Sequence, residues 1–450
     1  MTQANDDAAK DARMEWLLRE RIGNETPPDL EHAVLAQLQT EPTPVAIPNR
    51  NNRLLVAAIV VIGVAAVFAV SQITGDTPAA VSNPQQGEPE FVTWQDPALV
   101  RSRQDIEALP ADTKQVFGIN LDNDALPALL RLRKLEAIAL TVSTFEAKRG
   151  GPLKPKTDPV YFTDEGFERL ASMSSLRALV LEGHIKLKGH GLVRVVKDTG
   201  LRELTLTSMA VTDKLLAELA QLPLQALRLH GSQEFGDAGI KAIAASKTLR
   251  EVSLRGCTHL EQEWIANLAN LKSLETLNLS GIGSHTLFSG IRLSPLPEPT
   301  PGSGVTDRVV RAVAPLPKLR SLDLGSADVT DKGIAALKES RSLRQLGLQS
   351  ITELTAAGAH CLPNSLTSLN LLGHRDLDSQ LLKALLGRPN LTDLNLGWCR
   401  NPSLDAIEQL CKAAHLRTLN VSGWKLTDAE RDRLSKLAAQ INFGKQPKRR

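Results

Sequence analysis

Aromatic rings are scarce in this chain: 3% of its 450 residues, with a single tyrosine, Tyr161. A core of that size must then be filled with leucine, isoleucine, valine and alanine, which suits a regular layered architecture. Cysteine is also sparse. Cys257, Cys361, Cys399 and Cys411 form no CxxC pair, which argues against a disulfide framework, and they read as small buried hydrophobes. The net charge of +3 leaves no basic excess of the kind that marks nucleic-acid binders, so no nucleic-acid partner is expected. HExxH, Walker, GxGxxG and GxSxG motifs are absent. His184 and His190 flank a lysine-rich stretch with no carboxylate or cysteine pattern to complete a metal site. His360 beside Cys361 lacks an orienting third group. No catalytic residue, cofactor or metal is expected, and the chain reads as a binding protein rather than an enzyme.

One long uncharged run is present. Leu54–Val70 (LLVAAIVVIGVAAVFAV) carries no charge, and Ser71, Gln72 and Ile73 extend it to twenty residues. At about 1.5 Å per residue this spans a hydrocarbon core of roughly 30 Å, so residues 54–73 are expected to form one transmembrane helix. Arg50 and Arg53 precede it, and no Lys or Arg follows until Arg101. That bias places the N-terminus in the cytoplasm and everything after Thr74 outside. Residues 1–53 carry nine acids and six bases and hold two short amphipathic stretches, Met14–Gly23 and Asp29–Leu38. They read as a cytosolic helical stub. Residues 74–96, rich in Pro, Gly, Gln and Ser, read as a flexible linker. Residues 441–450 read as a basic tail, frayed by default and otherwise a contact for an anionic envelope polymer or lipid.

Between linker and tail a repeat governs the chain. LxxLxL recurs from Leu135-Ile138-Leu140 to Leu416-Leu419-Val421 at spacings of mostly 23 to 25 residues. Val116-Ile119-Leu121 reads as a degenerate first copy, 19 residues before the next. Each LxxLxL is a short strand with its leucines pointing inward, and each following segment is a helix on the other side. One repeat cannot bury its apolar face alone, so neighbours stack. An α/β solenoid over 97–440 is therefore expected, with a curved parallel sheet on the concave face and helices on the convex one. A second signature opens the return segments, as in VTDKLLAEL (Val211–Leu219) and VTDKGIAAL (Val329–Leu337). Thr163, Thr212, Thr306, Thr330 and Thr427 are expected helix N-caps, each followed by an aspartate that complements the helix dipole.

These motifs, with Cys257 and Cys399 three residues after the last apolar position of their copies, resemble the cysteine-containing leucine-rich-repeat subfamily. That subfamily is familiar from F-box substrate receptors and found in many bacterial proteins. The resemblance implies the solenoid fold, protein partners, and cysteines that tie adjacent turns together. No F-box precedes the repeats. The stub resembles the cytosolic part of bacterial membrane-bound anti-sigma regulators, without the zinc-type His and Cys of many of them. Short repeats without flanking cysteine caps look bacterial.

Three candidate surfaces follow. Residues between the leucines face out of the sheet, and in the middle copies they become more charged, with Glu203, Arg228, His230, Glu251, Ser253 and Arg255, of which Arg228, His230, Glu251 and Arg255 are the candidate hot spot. A row of arginines (Arg177, Arg202, Arg250, Arg320, Arg344, Arg417) should line the rim where strands begin. Two long spacings, 41 and 45 residues, mark insertions at about Thr144–Val160 and Ser284–Gly304. The first is basic (Lys148, Arg149, Lys154, Lys156). The second offers Leu287, Phe288 and Ile291. Both should leave one rim and flank a binding groove.

Overall fold

A computed structural model of the chain describes residues 91–142, 162–183, 187–282, 304–351, 353–374, 377–399, 404–413, 416–436 and 440–443, with two short strands at 145–146 and 154–155. The run at 54–73, the stub and the tail residues 444–450 lie outside the described residues. Among those described, no helix is long and apolar enough to cross a membrane.

Strands are numbered in chain order: β1 (Ala98–Val100), β2 (Gln115–Ile119), β3 (Ala137–Thr141), β4 (Phe145–Glu146), β5 (Lys154–Pro155), β6 (Ala178–Glu182), β7 (Glu203–Thr207) and β8 (Ala226–His230). There follow β9 (Glu251–Ser253), β10 (Thr276–Asn278), β11 (Ser321–Asp323), β12 (Gln345–Gly347), β13 (Ser368–Asn370), β14 (Asp393–Asn395), β15 (Thr418–Asn420) and β16 (Gln440–Asn442). All except β4 and β5 join one parallel sheet in sequence order. Those two pair antiparallel as a hairpin inside the first insertion. A return segment follows each strand of the sheet from β1 to β15, and most carry a short helix.

The register explains the core. Leu179, Leu204, Leu227, Val252, Leu277, Leu322, Leu346, Leu369, Leu394 and Leu419 stand in one cross-strand row, and each is at most 2% exposed. Each buried leucine contributes about 2 kcal/mol of transfer free energy, realised only when a neighbouring repeat covers it.

That register corrects the first copy. Val116 pairs with Ile138 and Gly118 with Leu140, so the frame is Thr113-Val116-Gly118, not Val116-Ile119-Leu121. The position meant for a third leucine is Gly118. A Cβ there would lie 2.6 Å from Leu121 Cδ1, because Leu121 folds back into the space and is itself 2% exposed. The sheet also gains a strand before the first predicted copy and runs past the predicted C-terminal end. β1 pairs with β2, and β16 pairs with β15, so Ile441 and Asn442 belong to a last strand and not to the tail. At the other end, residues 91–95 are not free linker but are bonded to the sheet.

The return segments confirm the caps. Thr163, Thr212, Thr306, Thr330 and Thr427 each accept a backbone N–H of their helix, and Thr427 completes a capping box with Glu430. The aspartates reach further than their own helix dipole. Asp164 accepts from the N–H groups of Lys188, Gly189 and Gly191. Asp213 accepts from Gly236 and Gly239, and Asp307 and Asp331 hold Thr330 and Thr355. Each carboxylate thus caps the next repeat's helix. Close approach demands glycine there: a Cβ on Gly333 would lie 2.3 Å from Asp307 Oδ1, and one on Gly358 2.2 Å from Asp331 Oδ1. Gly189 stands where these helices have the capping threonine, and a Cβ on it would lie 2.7 Å from Leu215 Cδ1.

Candidate functional site

Leucines 204, 206, 227 and 229 point into the core, so by the two-residue period Glu203, Arg228 and Glu251 stand on the open face of the sheet, away from the helices. They lie on three adjacent strands. Arg228 Nη2 donates to Glu251 Oε2 at 2.7 Å and its Nε to Glu251 Oε1, a fork geometry. Its Nη1 donates to Glu203 Oε2 at 3.3 Å. Ala226 stands between the two glutamates in their register row, and its small side chain leaves both carboxylates room to converge. The side chains are 23%, 7% and 15% exposed for Arg228, Glu203 and Glu251. Burial raises the Glu203 carboxyl above the usual range, against the pull of Arg228 and of a backbone N–H from Val92. Burial also works against the Arg228 charge, but the two carboxylates outweigh it and keep the guanidinium firmly charged.

His230 extends the cluster. Its Nε2 lies 3.0 Å from Ser253 Oγ. Burial, with Arg255 and Arg228 near it, pushes its pKa down to about 3, so it is neutral at pH 7. The structure therefore brings Arg228, His230, Glu251 and Arg255 together on one face with Glu203, and it makes Glu203 a second carboxylate partner of Arg228. Lys154 lies on β5 of the hairpin. Lys148, Arg149, Phe288 and Ile291 lie outside the described residues. The insertions leave after β3 and β10, which stand five strand spacings apart, about 25 Å at roughly 4.8 Å each.

The arginine row has several uses. Arg177 and Arg344 turn back onto carbonyls of their own turns, and Arg250 pairs with Glu275 at 3.4 Å. Arg202, Lys247, Arg250 and Lys318 line an open concavity of about 430 Å³ at the strand-entry rim.

The cysteine ladder is wider than the cysteines. Cys257 Sγ donates to the Leu229 carbonyl at 2.8 Å and Cys399 Sγ to that of Leu371 at 3.2 Å. Ser232 and Trp424, at the equivalent positions, donate to the Leu206 and Leu396 carbonyls. Burial pushes the Cys257 thiol up to about 12 and the Cys399 and Cys411 thiols up to about 11, so these are inert structural groups.

Sequence reading passed over two features. One residue earlier than the ladder position, the chain takes a positive φ in every copy from Ser208 to Gly423, and glycine or serine fills all of these places but one. The exception is Trp398, with φ of 58° and 56% of its surface exposed. A bulky residue there is a conformational outlier, and the break in a Gly/Ser row was its readable signal. The second feature is the segment 91–95, which lies on the open face. Its Val92 N–H donates to Glu203 Oε1 at 2.5 Å, and the Phe91 ring sits 5.9 Å from the Arg228 guanidinium carbon.

A leucine-rich-repeat family model matches residues 316–338, which contain β11 and the Thr330 cap. With fourteen parallel strands in sequence order, that match decides the architecture. The fold is a leucine-rich-repeat solenoid. The solenoid is similar to that of yeast Rad7, solved in complex with Elc1, at 18% identity and a TM-score of 0.50, over 73% of this chain and 81% of that one. It also matches an internalin of Listeria monocytogenes at 19% identity and a TM-score of 0.43, over 70% and 75% of the two chains. A Caenorhabditis elegans protein named as a putative RNA-binding protein is 27% identical over 42% of this chain, and the match spans 28% of its own length. Leucine-rich-repeat solenoids present a broad sheet surface suited to protein recognition, and the charged cluster on β7, β8 and β9 sits on that surface.

Proposed function

We propose that this chain is a membrane-tethered recognition module that grips a protein partner across the open face of β7 to β9. The observation that supports this most is the Glu203–Arg228–Glu251 network. Three charged groups from three strands are held in place and largely desolvated, the setting in which arginine acts as a binding hot spot. The tether is the uncharged run 54–73. Arg50 and Arg53 before it and the lack of Lys or Arg until Arg101 support a cytoplasmic stub and an extracytoplasmic solenoid. The two insertions belong to the same reading, with Lys148, Arg149 and Lys154 on one side of the partner and Phe288 and Ile291 on the other. The reading is of binding, not catalysis.

The test is proximity labelling from a tag at residue 450 in intact cells. The native chain is compared with one in which Arg228→Leu, Glu203→Gln and Glu251→Gln neutralise the network together. Proteins lost from the labelled set of the variant are the expected partners, and identical sets would sink the reading. Protease protection of tags at the two termini tests the topology in the same cells. A second reading, an intracellular adaptor, is favoured by the fold shared with Rad7, which was solved bound to Elc1. A protected C-terminal tag would select it.

A further inference from the structure

The segment just before the first strand lies across the face that the proposed function assigns to a partner. Gln115, on β2, grips it at one end: its Nε2 donates to the Thr93 carbonyl and its Oε1 accepts from the Gln95 N–H, both at 2.7 Å. Glu203, on β7, grips it at the other through the Val92 N–H. Between these strands lie β3 and β6, so the segment crosses about 14 Å of sheet at roughly 4.8 Å per strand. The floor beneath that crossing is made of small side chains. Ala137, Ala139 and Ala178 occupy open-face positions and are at most 2% exposed. The same face carries half-exposed Thr276, Ser321, Gln345 and Ser368 in the C-terminal strands. Phe91 closes the arrangement by setting its ring against Arg228, where cation–π attraction adds to desolvation.

Three of these contacts go to backbone groups, and Phe91 is read by its side chain. The recognition is therefore of an extended main chain with an aromatic residue at its first position and a free N–H at its second. Proline at the second position is excluded.

We infer that the trough from Gln115 to Arg228 is a docking site for an extended peptide segment of a protein partner, aromatic at its first position, and that residues 91–95 are the resident occupant that the partner displaces. This rests on the recognition-module reading and adds the chemistry of the ligand and a built-in competitor. A tethered occupant has an effective concentration on the order of millimolar, so a free peptide competes poorly until the occupant is removed.

The probe is a labelled peptide with the sequence of residues 89–96, PEFVTWQD, titrated against the full chain by fluorescence anisotropy. With Val92→Pro in the chain the N–H to Glu203 is gone, and the peptide is expected to bind at least tenfold more tightly than to the native chain. Phe91→Ala keeps the N–H and should give a smaller gain, about threefold. A peptide carrying proline in place of its own valine should bind neither variant. Both substitutions lie outside the repeats, and an unchanged thermal transition checks that the solenoid is intact. Equal affinity for native and Val92→Pro chains, or no binding to the freed chain, overturns the inference. If the freed chain ignores the peptide while network neutralisation still removes labelled partners in cells, the docking inference falls and the recognition module stands. If the freed chain binds the peptide and neutralisation changes no partner, the inference stands and the module reading falls.

Discussion

One register row runs through Thr205, Arg228 and Ser253 in the middle of the sheet and through Asn278, Asp323, Gly347, Asn370, Asn395 and Asn420 towards its end. The two stretches spend their polar groups differently. In the C-terminal strands Asn278, Asp323, Asn370, Asn395 and Asn420 each accept the backbone N–H two residues on. Each such turn ends its strand, and β10 to β15 are three residues long. Each of these five side chains closes onto its own turn, with Asp323 also accepting from Gln349 Nε2 of the next repeat, and the row offers a partner little. On β7 and β8 no such turn forms, the strands run for five residues, and the polar groups pair across strands. The difference teaches that a polar open face becomes a binding candidate when its side chains depend on neighbours and not on their own backbone.

The sharpest break of that comparison is Arg228→Ala against Asn370→Ala. Losing Arg228 leaves Glu203 and Glu251 desolvated without their counter-charge, and about 3 kcal/mol of stability should go. Losing Asn370 removes the hydrogen bond that holds Leu372 N–H at a half-exposed turn and should cost about 1 kcal/mol. Urea denaturation of the full chain reads both, and equal midpoints would show that the middle network is no more interdependent than the end.

A smaller contrast concerns the helix side. Gly191→Ala would place a Cβ 2.3 Å from the Asp164 carbonyl oxygen, whereas a Cβ on Gly387 meets nothing nearer than 3.9 Å. The first change should cost about 2 kcal/mol through overpacking, and the second should be neutral or stabilise by about 0.5 kcal/mol. Thermal shifts of opposite sign are the expected result. A neutral Gly191→Ala would mean that the aspartate-to-glycine coupling between repeats is loose.

The smallest effect is that of pH. His230 has its pKa lowered from 6.5 to about 3 in the fold, so below pH 6.5 the unfolded chain binds the proton that the folded chain refuses. Its contribution to stability is complete above pH 6.5 and falls as pH falls towards 3. Because His230 keeps some exposure, the loss should be about 0.5 kcal/mol per pH unit. Glu203 acts with the opposite sign. Its carboxyl is raised in the fold, so its penalty eases as pH drops through that raised value towards 4.5. His230→Asn should therefore flatten the stability profile between pH 6.5 and 5, and an unchanged slope would mean that the ring is already solvated.

Local spacing made most of the repeats legible. LxxLxL marks core-facing strand positions, and Thr-Asp marks helix starts, because each depends on residues within one turn or one strand of each other. The first copy was misread for the same reason. Val116, Ile119 and Leu121 satisfy the local pattern, and only pairing of Val116 with Ile138 shows that Gly118 holds the third place and Leu121 fills it. The candidate site was legible as a list, since a two-residue period puts Arg228, His230, Glu251 and Arg255 on the open face.

By itself, then, the amino-acid sequence determined the repeat, its caps and the inward and outward sides of each strand. The periods of two and about 24 residues are properties of neighbouring positions. Tertiary structure alone decided that Arg228 is shared by two glutamates, that Asp164, Asp213, Asp307 and Asp331 hold the start of the next repeat's helix, and that Val92 reaches Glu203, 111 residues away. Those outcomes depend on strand register and on how much water is excluded between distant segments. The strength of a charge pair follows that exclusion, and spacing along the chain does not record it.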